Sequence, residues 1–316
     1  MADPSRADRL PEGIRQALDA LEETHEAIVR RTGRDLVMAI LIGLALGGLL
    51  LASLLVFKFL FTIFLATAVA FGALELAWAM RGAGYQIPRV AIFPVGFAIP
   101  IAGWFFGIDG LWIALLLGAA VLALWRLVER IIARLVPAAA KVEEEAGPGL
   151  GLLQDWAGGF FVLAYVPFLG GFAVALAEQP GGEWWVLAFA ITVVAIDTAA
   201  YAVGLNFGKH PMAPTISPKK SWEGFAGAVL GAAIAGVLLA IFMLGQPWWI
   251  GLILGGIMLL TATIGDLAES WLKRDLGVKD MSSWLPGHGG FLDRLDSMLF
   301  SCAAAFLLYA AVFPLQ

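Results

Sequence analysis

Charged residues are scarce in this chain of 316 residues: Asp, Glu, Lys and Arg together make up 14%, against about 25% in soluble domains. A water-facing surface cannot be built from so few, which excludes a single soluble domain. Cysteine is nearly absent. Cys302 stands alone in an apolar run, so no intrachain disulfide can form, and it reads as a small core residue. There are three histidines, and no Cys/His cluster has zinc spacing. No signal peptide is expected. The first 35 residues are polar and the first apolar run is too long for a signal-peptide core, so the mature chain is expected to begin at Met1. The net charge of −5 says little about partners, because the sign of charge is segregated along the chain, and no nucleic acid is expected among them.

What is present is apolar: 60% of residues are hydrophobic and the mean hydropathy is +0.86. Several runs exceed the roughly 20 residues that cross a bilayer as a helix. The expected fold class is all-α, a polytopic integral membrane protein with about nine transmembrane helices, near 36–57, 59–80, 90–106, 110–127, 149–176, 183–205, 224–244, 247–268 and 290–313. On that count nineteen of the twenty Lys and Arg residues fall on one side, and Lys58 alone falls on the other. The positive-inside rule makes the rich side cytoplasmic. The N-terminus is then cytoplasmic and the C-terminus lies opposite. The expected organisation is a cytoplasmic segment 1–35 with an amphipathic helix over 10–32, a four-helix region 36–130, an interfacial linker 131–148 around Glu143–Glu145, and a five-helix catalytic region 149–316.

Ionisable groups inside spans are costly and point to function by default. Glu75, Asp155, Asp197, Asp266 and Asp293 all fall in the cytoplasmic halves of their spans. Glu75 and Asp155 read equally well as acids hydrogen-bonded between helices. The other three keep more telling company. The stretch 266–296 holds eleven residues that are charged or His. On a helix, Asp266, Glu269, Ser270 and Lys273 share one face, and Asp293, Asp296 and Ser297 repeat that spacing. Two carboxylates from facing helix ends can hold a divalent cation, and Asp266 and Asp293 suit that role best. Pro286-Gly-His288-Gly289-Gly290 supplies a flexible backbone able to approach phosphate oxygens. After the sixth span, Ser217-Pro218 reads as a helix start that places Lys219, Lys220 and Ser221 in a first turn, where an anion is favoured.

These residues resemble the phosphatidate cytidylyltransferases, also called CDP-diacylglycerol synthases. The resemblance rests on Ser270, Lys273-Arg274, Lys279-Asp280, His288-Gly289-Gly290, Asp293-Arg294 and Asp296 at the family's spacing. It extends to Gly265-Asp266-Leu-Ala-Glu269 and to Asp197-Thr-Ala-Ala-Tyr201 through Ser217-Pro-Lys219-Lys220-Ser221-Trp-Glu-Gly. It covers about residues 190–300. It implies the reaction CTP + phosphatidate → CDP-diacylglycerol + pyrophosphate, dependence on Mg2+ with room for a second cation, a homodimer, and a multi-pass place in the inner (plasma) membrane with the site facing the cytoplasm. Asp266, Asp293, Lys273, Arg274 and Lys279 would then be catalytic. The others, Asp197, Tyr201, Ser217, Lys219, Lys220, Ser221, Glu269, Ser270, Asp280, His288, Gly289, Gly290, Arg294 and Asp296, would bind substrate. Two other readings compete: a CTP-dependent lipid-alcohol kinase, which would release CDP, and a secondary transporter, whose acids would sit at the midplane of a repeat.

Overall fold

The structure, a computed structural model, describes residues 47–136, 150–282, 284 and 289–313. Among these residues seven helices are long and apolar enough to cross a membrane. A short apolar helix α1 (Gly47–Val56) leads into α2 (Lys58–Gly82), and α3 (Arg89–Leu135), α4 (Leu152–Ala177) and α5 (Gly182–Phe207) follow. A two-stranded antiparallel hairpin, β1 (Pro211–Ala213) and β2 (Ser217–Ser221), precedes α6 (Trp222–Phe242), α7 (Trp248–Asp275) and α8 (Leu292–Val312). The chain is an all-α polytopic membrane protein, with one small hairpin among the described residues. Of the first expected span only residues 47–57 are described, and the expected amphipathic helix, most of the 131–148 linker and His288 lie outside the described residues.

The spans expected at 90–106 and 110–127 are two arms of α3. The helix is broken at Gly107, whose φ of 59° and ψ of −144° are not helical. A residue with a Cβ strains at such a φ, so glycine makes the reversal. The arms then run antiparallel: a methyl group placed on Gly103 would strike Leu111, and one on Gly118 would strike Val95. The second arm continues to Leu135, well past the expected end.

α4 carries a different irregularity. Its middle, Ala164–Phe168, is a single π turn containing Pro167. Proline has no N–H to give to the helical ladder, and the wider turn absorbs the break while the helix goes on to Ala177. Leu163, Val166 and Leu176 of α4 pack with Leu76, Ile92, Ile99 and Phe306 in one continuous core.

The helix ends sort into two sets. At one end Lys58 donates to the Ala177 carbonyl at 2.9 Å and pairs with Glu183 at 2.8 Å, and the Tyr309 hydroxyl donates to the Pro180 carbonyl at 3.0 Å. Lys58, the odd residue in the charge count, therefore sits with the α4–α5 turn and the end of α8. At the other end Arg126 Nε donates to Asp155 Oδ2 at 3.0 Å, and the Gln86 N–H donates to Asp155 Oδ1 at 2.7 Å. This ties the second arm of α3 and the α2–α3 turn to the start of α4. Asp155 and Arg126 are both buried. Asp155 is thus a tie between helices.

Candidate active site

α7 and α8 cross with their backbones in contact. A Cβ on Gly265 would run into the carbonyl oxygen of Asp296, so only glycine allows this approach. The crossing sets Asp266, one residue on along α7, beside the acid-bearing first turns of α8. α7 also runs seven residues past its expected end, to Asp275, which keeps Glu269 and Lys273 helical. It stops in a Schellman turn: the Gly277 N–H donates to the Arg274 carbonyl at 3.2 Å, and the Val278 N–H to the Lys273 carbonyl at 2.9 Å, with Gly277 at a φ of +71°. The chain then turns back towards α8.

Lys273 is the hub. Its ammonium lies 2.5 Å from Glu269 Oε2, one turn earlier, and 2.9 Å from Asp293 Oδ1 on α8. Glu269 is fully buried. The other oxygen of Asp293 accepts from the Met281 N–H at 3.0 Å and the Gly290 N–H at 2.8 Å. Ser270 donates to Asp266 Oδ1 at 3.3 Å, and Lys220 from β2 lies 2.5 Å from Asp266 Oδ2. Asp296 accepts from the N–H and hydroxyl of Ser297, both on Oδ1. Asp197 on α5 is close enough to Asp296, Asp266 and Lys220 to interact with them electrostatically. Five carboxylates from three helices thus share two lysines among the described residues.

One contributor to this geometry lies outside the site residues expected from the sequence. Glu75 of α2 is fully buried. It accepts from the Phe291 N–H at 3.0 Å, the Leu292 N–H at 2.9 Å and the Ser282 hydroxyl at 2.5 Å. α8 has no cap of its own, so Glu75 satisfies the orphan donors of its first turn from across the bundle. A Cβ on Gly290 would collide with this carboxylate. The Gly289-Gly290 pair therefore serves the close fit of two acids, Glu75 and Asp293, and the Gly290 N–H goes to Asp293. The available signal was a lone acid in an otherwise apolar span.

The expected helix start at Ser217-Pro218 is corrected. Ser217–Ser221 is strand β2, and the helix begins at Trp222 with Ser221 as its cap. The Ser221 hydroxyl accepts from the Gly224 N–H at 3.1 Å. Glu223 fixes this choice. It accepts from the Lys209 and His210 N–H groups at 3.0 and 3.2 Å and meets His210 Nδ1 at 2.5 Å, so the hairpin is tied to the α6 start. Lys219 and Lys220 are therefore extended-strand residues. Lys220 reaches Asp266, and Lys219 is exposed. Tyr201, Arg274, Lys279, Asp280 and Arg294 are likewise exposed.

The donors in this cluster are all oxygens, the hard set that suits Mg2+. No group of three or more His, Cys, Asp or Glu stands ready as a metal cage among the described residues, and both proposed ligands are engaged by lysines. That fits a cation held by one or two carboxylates and completed by substrate phosphates.

A model of the cytidylyltransferase family matches residues 37–312. Over 279 residues the chain is 40% identical to a phosphatidate cytidylyltransferase of Mycobacterium bovis, covering 88% of this chain and 89% of that one. It is 36% identical over 307 residues to a phosphatidate cytidylyltransferase of Mycobacterium leprae, covering 97% of each. One from Brucella suis is 36% identical over 173 residues, covering 53% of this chain and 64% of the other. The chain belongs to the cytidylyltransferase family.

Proposed function

We propose that this cytidylyltransferase family member joins CTP to phosphatidate, releasing pyrophosphate and making CDP-diacylglycerol. The observation that carries the reading is the convergence of Asp197, Asp266, Glu269, Asp293 and Asp296 with Lys220 and Lys273 at one end of an apolar bundle. A lipid anchored in the bilayer and a water-borne nucleotide can meet there.

In the reaction an oxygen of the lipid phosphate forms a bond to the α-phosphorus of CTP, and the bond from that phosphorus to the bridging oxygen of pyrophosphate breaks. A phosphate monoester is already anionic near neutral pH, so no strong general base is required. Catalysis is then mainly positioning and charge neutralisation. Asp266 and Asp293, with Asp296 nearby, would hold Mg2+, which when bound supplies positive charge against the triphosphate and the departing pyrophosphate; a second cation would fall among the same acids. Lys273 and Lys220 hold those carboxylates apart and in place before substrate arrives. Either can turn from a carboxylate to a phosphate oxygen as charge enters the site. Arg274, Lys279, Arg294 and Lys219 would attract the triphosphate from their exposed positions, and Ser217, Ser221, Ser270 and His288 would add neutral donors. The positive-inside count supports a site at the cytoplasmic face of the inner membrane, and a homodimer remains part of the proposal through family resemblance.

The test is the product mixture from purified enzyme, CTP, Mg2+ and phosphatidate in detergent. Pyrophosphate and a CDP-lipid in equal amounts are expected. Release of CDP with a newly phosphorylated lipid would instead identify a kinase.

A further inference from the structure

The acid cluster faces one more polar group, and nothing in the mechanism above uses it. Tyr165 lies on the π turn of α4. It is 7% exposed, and its buried hydroxyl has no hydrogen-bond partner among the described residues. A phenol left in this state costs free energy that phenylalanine would not. Single π turns within α-helices are frequent at functional sites. The ring is held on two sides: Phe161 stacks on it at 5.5 Å with planes 4° apart, and Phe300 meets it edge-on at 5.9 Å. Phe300 stands one turn after Asp296 on the same face of α8, and its ring borders Gly265 at the α7–α8 crossing. Asp266, Glu269 and Asp296 all lie near enough to act electrostatically on the hydroxyl, yet none accepts from it.

Two features indicate which substrate reaches this hydroxyl. The first is depth. Val166, the next residue, and Leu292 at the start of α8 both border Gly72. Gly72 is ten residues inside the end of α2 at Gly82, or about 15 Å at helical rise. The second is position across the bundle. Phe161 is 40% exposed on the apolar outer surface, beside Phe160 at 45%. Tyr165 therefore stands between a lipid-facing aromatic and the acids, on the path of a headgroup entering sideways from the bilayer.

We propose that Tyr165 is a substrate-binding residue whose hydroxyl donates a hydrogen bond to a phosphate oxygen of the lipid substrate, within the reaction assigned above. CTP, arriving from the aqueous end, also carries phosphate oxygens, and kinetics separate the two sources.

Tyr165→Phe keeps the ring and removes only the donor. Assayed with phosphatidate in detergent micelles, the variant is expected to lose about tenfold or more in kcat/KM for the lipid, the scale of one hydrogen bond to a charged group. The KM for CTP should stay at the wild-type value. Melting temperature without substrate should be equal or higher, because an unsatisfied group is gone, and the stabilisation conferred by added phosphatidate should shrink. Unchanged lipid kinetics, an effect confined to CTP, or a fall in melting temperature matching the loss of activity would each overturn the assignment. Failure of the wild-type protein to form any CDP-lipid would instead count against the proposed function, a result that the comparison of Tyr165→Phe with wild type keeps separate.

Discussion

Two groups of acids share one end of this bundle, and they differ in burial and in how their oxygens are used. Asp155 has Arg126 on one oxygen and the Gln86 N–H on the other. Glu75 takes three donors, two of them backbone N–H groups of the α8 start. Every charge in that group is matched by groups the fold itself orders. The second group, Asp197, Asp266, Glu269, Asp293 and Asp296, has two lysines among five carboxylates. Carboxylates gathered this closely repel one another and favour any positive charge that arrives. The difference separates acids that hold the protein together from acids kept for a ligand, although all of them lie in spans where any acid is costly.

The largest effect expected is on the first group. Asp155→Ala removes the carboxylate that the buried Arg126 and the Gln86 N–H share, and breaking a buried pair in this way costs about 3–5 kcal/mol. Thermal melting in detergent should fall steeply, while turnover per folded molecule should hold. Lost turnover with intact melting would place Asp155 in the second group and break the comparison.

Asp293→Asn tests the other side. The amide keeps an acceptor for the Gly290 N–H but removes the charge that faces Lys273. Turnover should fall by about a hundredfold to a thousandfold, the scale seen when one preorganised electrostatic group is lost, with melting little changed. Turnover near wild type at saturating Mg2+ would remove Asp293 from the proposed ligands.

Glu75→Gln sharpens the boundary between the groups, because Glu75 is structural in its contacts yet holds the backbone that carries Asp293. Hydrogen bonds to a charged acceptor are worth about 1.5–3 kcal/mol, and the amide weakens them without abolishing them. Melting and turnover should decline together by a moderate amount. A decline in turnover alone would assign Glu75 to the ligand-facing acids.

Much of this was legible in the sequence, for reasons that can be located. The spans are visible because a membrane helix announces itself by length and hydropathy alone. The break at Gly107 falls between two expected spans because the Lys and Arg alternation demands a reversal there, and Lys58 stands apart in the charge count and in the structure. Asp266, Glu269, Ser270 and Lys273 are readable as one face because their contacts are one helical turn apart. What could not be read depends on partners distant in sequence. Glu75 meets Phe291 and Leu292 across 216 and 217 residues, and no periodicity in α2 reports that. The π turn at Tyr165 leaves no mark on the hydropathy pattern. The hairpin is hidden because Ser217-Pro218 and Ser221 are both acceptable helix starts, and Glu223 tips the choice by binding the backbone at Lys209 and His210.

The smallest effect expected comes from that hairpin, and it separates two adjacent lysines that the sequence had treated alike. In a first helical turn, Lys219 and Lys220 would both have flanked the same anion. In an extended strand successive side chains point to opposite faces, so only one of the pair can face the acids. Lys220 meets Asp266, and Lys219 is exposed. Lys220→Ala should therefore lower kcat/KM for CTP by about tenfold, the loss of one charge-assisted contact. Lys219→Ala should change it less than about threefold, in keeping with the weak worth of an exposed charge, and should do so mainly at low salt. Equal losses for the two variants would mean that the strand rearranges into a helix when the triphosphate binds. The acids would then be completed by both lysines, and Asp266 would leave its resting partner as the nucleotide enters.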